Sequence, residues 1–214
     1  MFKAVIFDLD GVLIDTEKLN VKYKYSMAKK LGYNLTKTDI RKSLGLGKLE
    51  AVEYYKNLVG NDTLYPILSK YRREKTKEYI SRYGLPLKKY VIETFDYLKV
   101  KGIKIALATS SSYDLLDLYF KHSNIKDYFD CIVSNDDVKF GKPNPEIFLK
   151  AAEKLNYPIN DILVAEDSLN GLKAAKSGKF KTLFIQDQWK MAKVNEIYAD
   201  YRFKSLKCID TLID

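Results

Sequence analysis

Phe2-Lys3-Ala4-Val5-Ile6-Phe7-Asp8-Leu9-Asp10-Gly11-Val12 is the stretch on which the reading of this chain turns. Its apolar, β-branched run up to Phe7 predicts a short buried strand that stops at Asp8. In extended geometry Asp8 and Asp10 point the same way, and Gly11 permits a sharp turn behind them. Two carboxylates at one strand end are a weak signal alone. What gives them weight is the pattern that follows.

From Asp15 onward the periodicity is helical. Helices are predicted over Leu19 to Leu31, from near Asp39 with Thr36 or Thr38 as cap, over Leu49 to Leu58, and over Leu64 to Tyr83. Four helices with no strand between them predict a small bundle. After Gly84-Leu85-Pro86 the chain alternates. Helices are expected at Val91 to Lys101, Tyr113 to His122, Asn144 to Leu155 and Leu169 to Ser177, with Asn144 as cap and Pro145 as first helical residue. Strands are expected at Ile103 to Ala108, Cys131 to Val133, Ile162 to Ala165, Lys181 to Ile185 and, at an edge, Tyr201 to Phe203. The fold class is therefore α/β: a Rossmann-like parallel sheet covered by helices on both faces, residues 1–14 and 86–214, with a helical bundle inserted at 15–85. Ligands of such sheets sit at the carboxyl ends of the strands.

Composition removes several classes of chemistry. His122 is the only histidine, placed where a helix should end, so a multi-histidine zinc site is excluded. Cys131 and Cys208 are too few for a disulfide framework and read as buried or half-buried thiols. The apolar runs of the strands stop at four residues, too short for a membrane span, and the N-terminus lacks a secretory pattern. A cytoplasmic monomer is the expectation. The net charge is +9, and it is uneven: residues 15–85 hold 16 Lys and Arg against 8 Asp and Glu, the remainder 21 against 20. The excess belongs to the helical insertion, as a solvated surface or a positive lid for a small anion.

Four strand ends carry the polar residues. Asp8 and Asp10 follow the first strand. Thr109-Ser110-Ser111-Ser112 follows the second, offering hydroxyls and N–H groups to an anion. Gly141-Lys142-Pro143 sets a lysine in a stiff loop, and Glu166-Asp167-Ser168 adds two more acids. Converging carboxylates repel by kcal/mol unless a cation or protons intervene. Oxygen-only ligands favour Mg²⁺. A cation, a lysine and a hydroxyl shelf together suit a phosphoryl group.

These residues resemble the haloacid dehalogenase-like phosphatases and phosphomutases with a helical cap after the first strand, over essentially the whole chain. Four motifs occur in order: Asp8-Leu9-Asp10-Gly11-Val12, Leu107-Ala108-Thr109-Ser110, Lys142-Pro143 and Glu166-Asp167-Ser168. The resemblance implies Asp8 as nucleophile and Asp10 as general acid/base. It implies Thr109, the Ser110 N–H and Lys142 as phosphate binders. It implies Mg²⁺ held by Asp8, the Asp10 carbonyl and Asp167, with Glu166 a ligand or a partner of one. An acid at Asp10 favours phosphate esters over dehalogenation, since an alkoxide leaving group needs a proton.

In the insertion the resemblance runs nearest to β-phosphoglucomutase and related sugar-phosphate phosphatases. Gly45-Leu46-Gly47-Lys48 matches a substrate-contacting loop, with Lys48 where the mutases usually have arginine. Lys75 falls near a second contact, and Asn20 stands where the mutases have histidine. Lysine is a point charge where arginine grips bidentately, and asparagine takes up no proton, so both departures favour a phosphatase over a mutase. Tyr113 is a further candidate substrate contact. Lys89-Tyr90 stands where relatives often have Pro-Gly. Among other classes, a response-regulator receiver is disfavoured by the Asp-x-Asp pair and the long insertion. A nucleic-acid module would rest on the basic insertion and Tyr23, Tyr25, Tyr54 and Tyr55, which core packing explains equally well. The expected partner is a small phosphorylated metabolite, with neither membrane nor nucleic acid.

Overall fold

The computed structural model describes residues 1–44, 46–185 and 197–213. They form two compact units, Met1–Ile14 with Leu85–Asp214, and Asp15–Gly84. Gly45 of the cap-loop motif lies outside the described residues. No described helix is long and apolar enough to cross a membrane.

The first unit is a six-stranded parallel sheet. Its strands are β1 (Ala4–Phe7), β2 (Lys104–Ala108), β3 (Cys131–Val133), β4 (Ile162–Glu166), β5 (Lys181–Ile185) and β6 (Tyr201–Phe203), in the order β3-β2-β1-β4-β5-β6. All four residues of β1 are buried, as befits a central strand covered on both faces. The side-chain alternation divides them. Ala4 and Ile6 face a cluster with Phe148, Ala151 and Leu155 of one helix (Glu146–Leu155) and Ala174 and Ala175 of another (Leu169–Ser177). Phe7 turns the other way, its ring 5.4 Å from that of Phe95 in the helix Val91–Val100.

The second unit is the bundle that its periodicity predicts: α1 (Glu17–Lys30), α2 (Lys37–Lys42), α3 (Lys48–Val59) and α4 (Leu64–Tyr83). Val21, Ala28, Leu35, Ile40, Tyr55, Leu64 and Leu68 make its core. Of the two capping candidates Thr36 is used: its Oγ1 accepts from the Asp39 N–H while the Asp39 carboxylate accepts from the Thr36 N–H. Of the four tyrosines Tyr55 is a core residue, and Tyr25 and Tyr54 pack half-buried against that core. Tyr55 is fully buried with its Oη 3.0 Å from Ser43 Oγ, and Tyr54 Oη donates to the Asp39 carbonyl.

Numbering the remaining helices in chain order gives α5 (Val91–Val100), α6 (Tyr113–Lys121), α7 (Glu146–Leu155), α8 (Leu169–Ser177) and α9 (Asp210–Ile213). Three local expectations change. Leu85 belongs to the sheet unit rather than the insertion. Pro145 is itself the cap position of α7, one residue later than the sequence suggests, although the Asn144 Oδ1 still accepts from the Glu146 N–H at 3.0 Å. Cys208 is exposed, while Cys131 is half-buried. Tyr90, ahead of α5, has φ of 70° and ψ of 10°. That left-handed conformation is the physical reason a glycine suits the position.

The edge strand β6 is tied down by Asp200 just before it. The Asp200 carboxylate accepts from the Thr182 N–H at 2.8 Å, the Thr182 hydroxyl at 3.0 Å and the Lys176 ammonium at 2.5 Å. Burial raises its pKa, but these donors outweigh that and bring it down from 3.8 to about 2. A depressed carboxyl stabilises the fold fully above its unfolded value and loses that contribution as pH falls through the folded one. Asp200→Ala is therefore expected to cost about 1–2 kcal/mol at neutral pH. Chemical denaturation should show that deficit shrinking between pH 4 and pH 2; a pH-independent deficit would mean that the carboxylate contacts are not its source.

Candidate active site

Register brings three strand ends level. Phe7 pairs with Leu107 of β2 and with Ala165 of β4, so Asp8, Thr109 and Glu166–Asp167 emerge side by side at the carboxyl edge. The sheet order places β1 between the arm that runs outward through β2 and β3 and the arm that runs through β4, β5 and β6. That reversal of direction is where open α/β sheets leave a crevice. Asp8 is 8% exposed, Thr109 1%, Glu166 0% and Asp167 8%, so these polar groups are buried within reach of solvent on one rim.

Lys142 is what joins them. Its ammonium donates to Asp8 Oδ1 at 2.5 Å, to Glu166 Oε1 at 2.6 Å and to the Ala108 carbonyl at 3.2 Å, and it lies 4.8 Å from the centre of the Phe148 ring. All three protons of the ammonium thus have acceptors. The second Glu166 oxygen, Oε2, accepts from the N–H groups of Asp167 and Ser168 and from the Ser168 hydroxyl, each at 3.0 Å. Glu166 is thereby held from both sides as the anchor of Lys142.

Two glycines exist for close approach. A Cβ at Gly11 would lie 1.8 Å from Asp167 Oδ2, and Gly11 has φ of +87°. A Cβ at Gly171 would lie 1.8 Å from Glu166 Oε1. The turn beyond Asp10 is closed by Gly11 N–H donating to the Ile14 carbonyl, and the Lys88 ammonium holds the Gly11 carbonyl. Ser111 bridges two motifs: its Oγ lies 3.3 Å from Asp10 Oδ2, and its N–H donates to Thr109 Oγ1 at 3.1 Å.

Electrostatics follow from this crowding. Burial pushes the Asp8 carboxyl up, Lys142 opposes the rise, and the negative charges of Glu166 and Asp10 add to it. Burial works against the Lys142 ammonium, but Asp8 and Glu166 outweigh it and hold it above the usual lysine range. Ligand oxygens of Asp8, Glu166 and Asp167 lie within 4.8 Å of one another. This all-oxygen set with one lysine leaves an excess of negative charge, which fits a hard divalent cation.

The structure thus brings together Asp8, Asp10, Thr109, Lys142, Glu166 and Asp167, with Ser110 on the same strand-end loop. Ser111, Lys88, Gly11 and Gly171 complete the site. Of these, Ser111 and Gly11 stand in motifs already recognised, whereas Lys88 and Gly171 carry no sequence signal. Asn20, Lys48 and Lys75 belong to the helical unit and lie on α1, at the exposed start of α3, and on α4. Lys75 is already paired with Glu78 at 2.6 Å. Tyr113 opens α6 in the sheet unit, its hydroxyl donating to Asp137 Oδ2 at 2.7 Å.

Known proteins resemble this chain over most of its length. The family model for haloacid dehalogenase-like hydrolase matches residues 5–185. The phosphorylated carbohydrates phosphatase of Thermotoga maritima is 33% identical over 85% of this chain and 84% of its own length. Hexitol phosphatase B of Escherichia coli is 26% identical over 95% of this chain and 92% of its own. A solved Thermotoga maritima structure superposes with TM-score 0.78 at 31% identity, covering 99% of this chain and 98% of that one. The β-phosphoglucomutase of Clostridium difficile shares the fold at TM-score 0.73 and 22% identity, over 96% and 92% of the two chains. With the motif order, the strand ends and a match across most of its length all agreeing, the chain belongs to the haloacid dehalogenase-like hydrolase family.

Proposed function

We propose that this chain is a Mg²⁺-dependent phosphatase that removes phosphate from a small phosphorylated metabolite, a sugar phosphate, through an aspartyl-phosphate on Asp8. The observation that carries the reading is Lys142, which sets a buried positive charge on the oxygen of Asp8 while Glu166 holds it there. A nucleophilic carboxylate beside a fixed cation is what phosphoryl transfer requires, because the work is positioning and charge neutralisation. The names of the Thermotoga and Escherichia coli relatives support carbohydrate and polyol phosphates as the substrate class.

In this reading Asp8, Asp167 and the Asp10 carbonyl would hold the metal, which when bound neutralises charge on the transferring phosphoryl group. Glu166 positions Lys142 rather than ligating, since both of its oxygens already accept hydrogen bonds. Asp8 attacks phosphorus and the bond to the ester oxygen breaks. Asp10, oriented by Ser111, protonates the departing alkoxide and then takes a proton from the water that cleaves the acyl phosphate. Thr109 and the Ser110 N–H bind phosphoryl oxygens. The helical insertion is the cap that selects the substrate.

Phosphatase is preferred to mutase on residues of the cap. Asn20 cannot carry a proton, Lys48 offers a point charge instead of a fork, and Lys75 is engaged with Glu78. The test is phosphate release from a panel of sugar and polyol phosphates, with glucose 6-phosphate formation from β-glucose 1-phosphate followed in parallel. Release without isomerisation is expected; isomerisation without release would make the chain a mutase.

Asp8→Asn should reduce turnover by about 10³-fold or more while the thermal melt stays cooperative. Substantial residual activity in a folded variant would remove Asp8 from the nucleophile's role. EDTA should abolish phosphate release and excess Mg²⁺ restore it. Activity that survives chelation would remove the cation from the mechanism. Gly11→Ala should cost about 10²-fold in kcat, because the new methyl displaces Asp167 and the turn carrying Asp10. Unchanged kinetics would mean that the Asp167 position is not critical.

A further inference from the structure

The helical unit contains a polar stripe that its fold does not need. Asn20 and Lys24 are four residues apart on α1, and Arg72 and Thr76 are four apart on α4, the helix that packs against α1. Residues at that spacing share a helix face. Lys24 is 3% exposed and Thr76 is 2% exposed. Among the described residues no carboxylate pairs with Lys24; its ammonium lies 5.1 Å from the centre of the Tyr65 ring, and the like charge of Arg72 acts on it. Three further atoms of this stripe are buried with no hydrogen-bond partner among the described residues: Asn20 Oδ1, Arg72 Nε and Thr76 Oγ1.

This is an expensive arrangement for a bundle that leucines could fill. Each buried polar atom left without a partner destabilises the fold, and a buried charge beside a like charge does so more. Burial and the Arg72 charge together bring the Lys24 ammonium down to about 7. What would settle the ammonium, the guanidinium and the hydroxyl at once is an oxyanion, and the Asn20 amide can join them only by presenting its NH₂. The oxyanion accepts from the ammonium, from guanidinium N–H groups and from a hydroxyl, and it reverses the repulsion between the two cations.

We propose that Asn20, Lys24, Arg72 and Thr76 form an anion site within the helical unit that takes a phosphate dianion, either inorganic phosphate or a second phosphate on a bisphosphorylated ligand. Lys24 and Arg72 supply the charge, the Thr76 hydroxyl donates, and Asn20 donates through its amide NH₂ when the amide is turned to face the anion. The site stands whether or not the sheet unit is a phosphatase, because it is built from other residues on other elements.

The test is a nuclear magnetic resonance titration of the full chain carrying isotopically labelled lysine ε-carbons, in which Lys24→Met and Lys142→Met identify two signals. Inorganic phosphate is added at constant ionic strength, and a hexose bisphosphate is titrated separately. The expected result is saturable movement of the Lys24 signal, weakened about tenfold in Arg72→Met and severalfold in Thr76→Val. Thr76→Val removes only the hydroxyl and keeps the volume, so it answers the question even where Arg72→Met does not fold. Tighter saturation by the bisphosphate identifies the ligand as a second phosphate, and equal saturation identifies free phosphate. A Lys24 signal that stays still while the Lys142 signal responds overturns the proposal, as does movement that sodium chloride reproduces. The Lys142 signal reports the sheet-unit site independently, so failure of one reading is separable from failure of the other.

Discussion

The ammonium of Lys142, held between Asp8 and Glu166, is the interaction on which the site depends, and its three acceptors come from three different strand ends. Buried ion pairs are poor stabilisers in general, because desolvation offsets much of the attraction. This one is kept for what it positions. Lys142 lies 134 residues from Asp8 and 24 from Glu166 in sequence, so the pairing exists only once the parallel sheet has formed in the right register. A slip of one residue in β4 would turn Glu166 to the opposite face and take its buried charge away from Lys142. The chemistry therefore checks the fold, and the fold assembles the chemistry.

The same crowding explains where side chains are forbidden. Asp167 needs the space above Gly11, and Glu166 needs the space above Gly171. In each case a carboxylate lies directly against backbone, and the absent Cβ is what lets the strand end and the neighbouring turn or helix close on it. Glu166 then accepts from the N–H groups of Asp167 and Ser168, which lead into α8, where a negative charge is also favoured by the helix dipole. Backbone, helix terminus and lysine share one carboxylate, which is why that carboxylate is fully buried and still satisfied.

Much of this is legible in the sequence because the signals are local. A four-residue apolar run that stops at Asp8, a glycine directly after Asp10, and Glu166-Asp167 closing another apolar run all report their own neighbourhood. Residues whose roles depend on distant partners are silent. Nothing around Lys88 indicates that it reaches the Gly11 carbonyl, and nothing around Gly171 indicates the Glu166 side chain lying over it. Tyr90 misleads in the opposite sense: the sequence shows an aromatic where the backbone turns left-handed. Its ring lies beneath the ammonium groups of Lys89 at 4.8 Å and Lys207 at 5.7 Å, contacts that offset part of the strain. The +8 excess of the helical insertion was equally opaque, because a count of lysines does not say which one is buried.

Two buried lysines make that last distinction physical. Lys142 and Lys24 are both withdrawn from water, and burial alone lowers the pKa of each. Around Lys142 two carboxylates reverse the effect, and the ammonium is held charged. Around Lys24 there is an aromatic face and another cation, and the effect stands. The first environment is complete without a ligand; the second has charge and donors with nothing to receive them. A hydrophobic side chain at position 24 would fill the bundle at lower cost, as replacements of buried charges elsewhere have shown. Stability therefore gives no reason for a lysine there, and the reason has to lie in something the lysine binds.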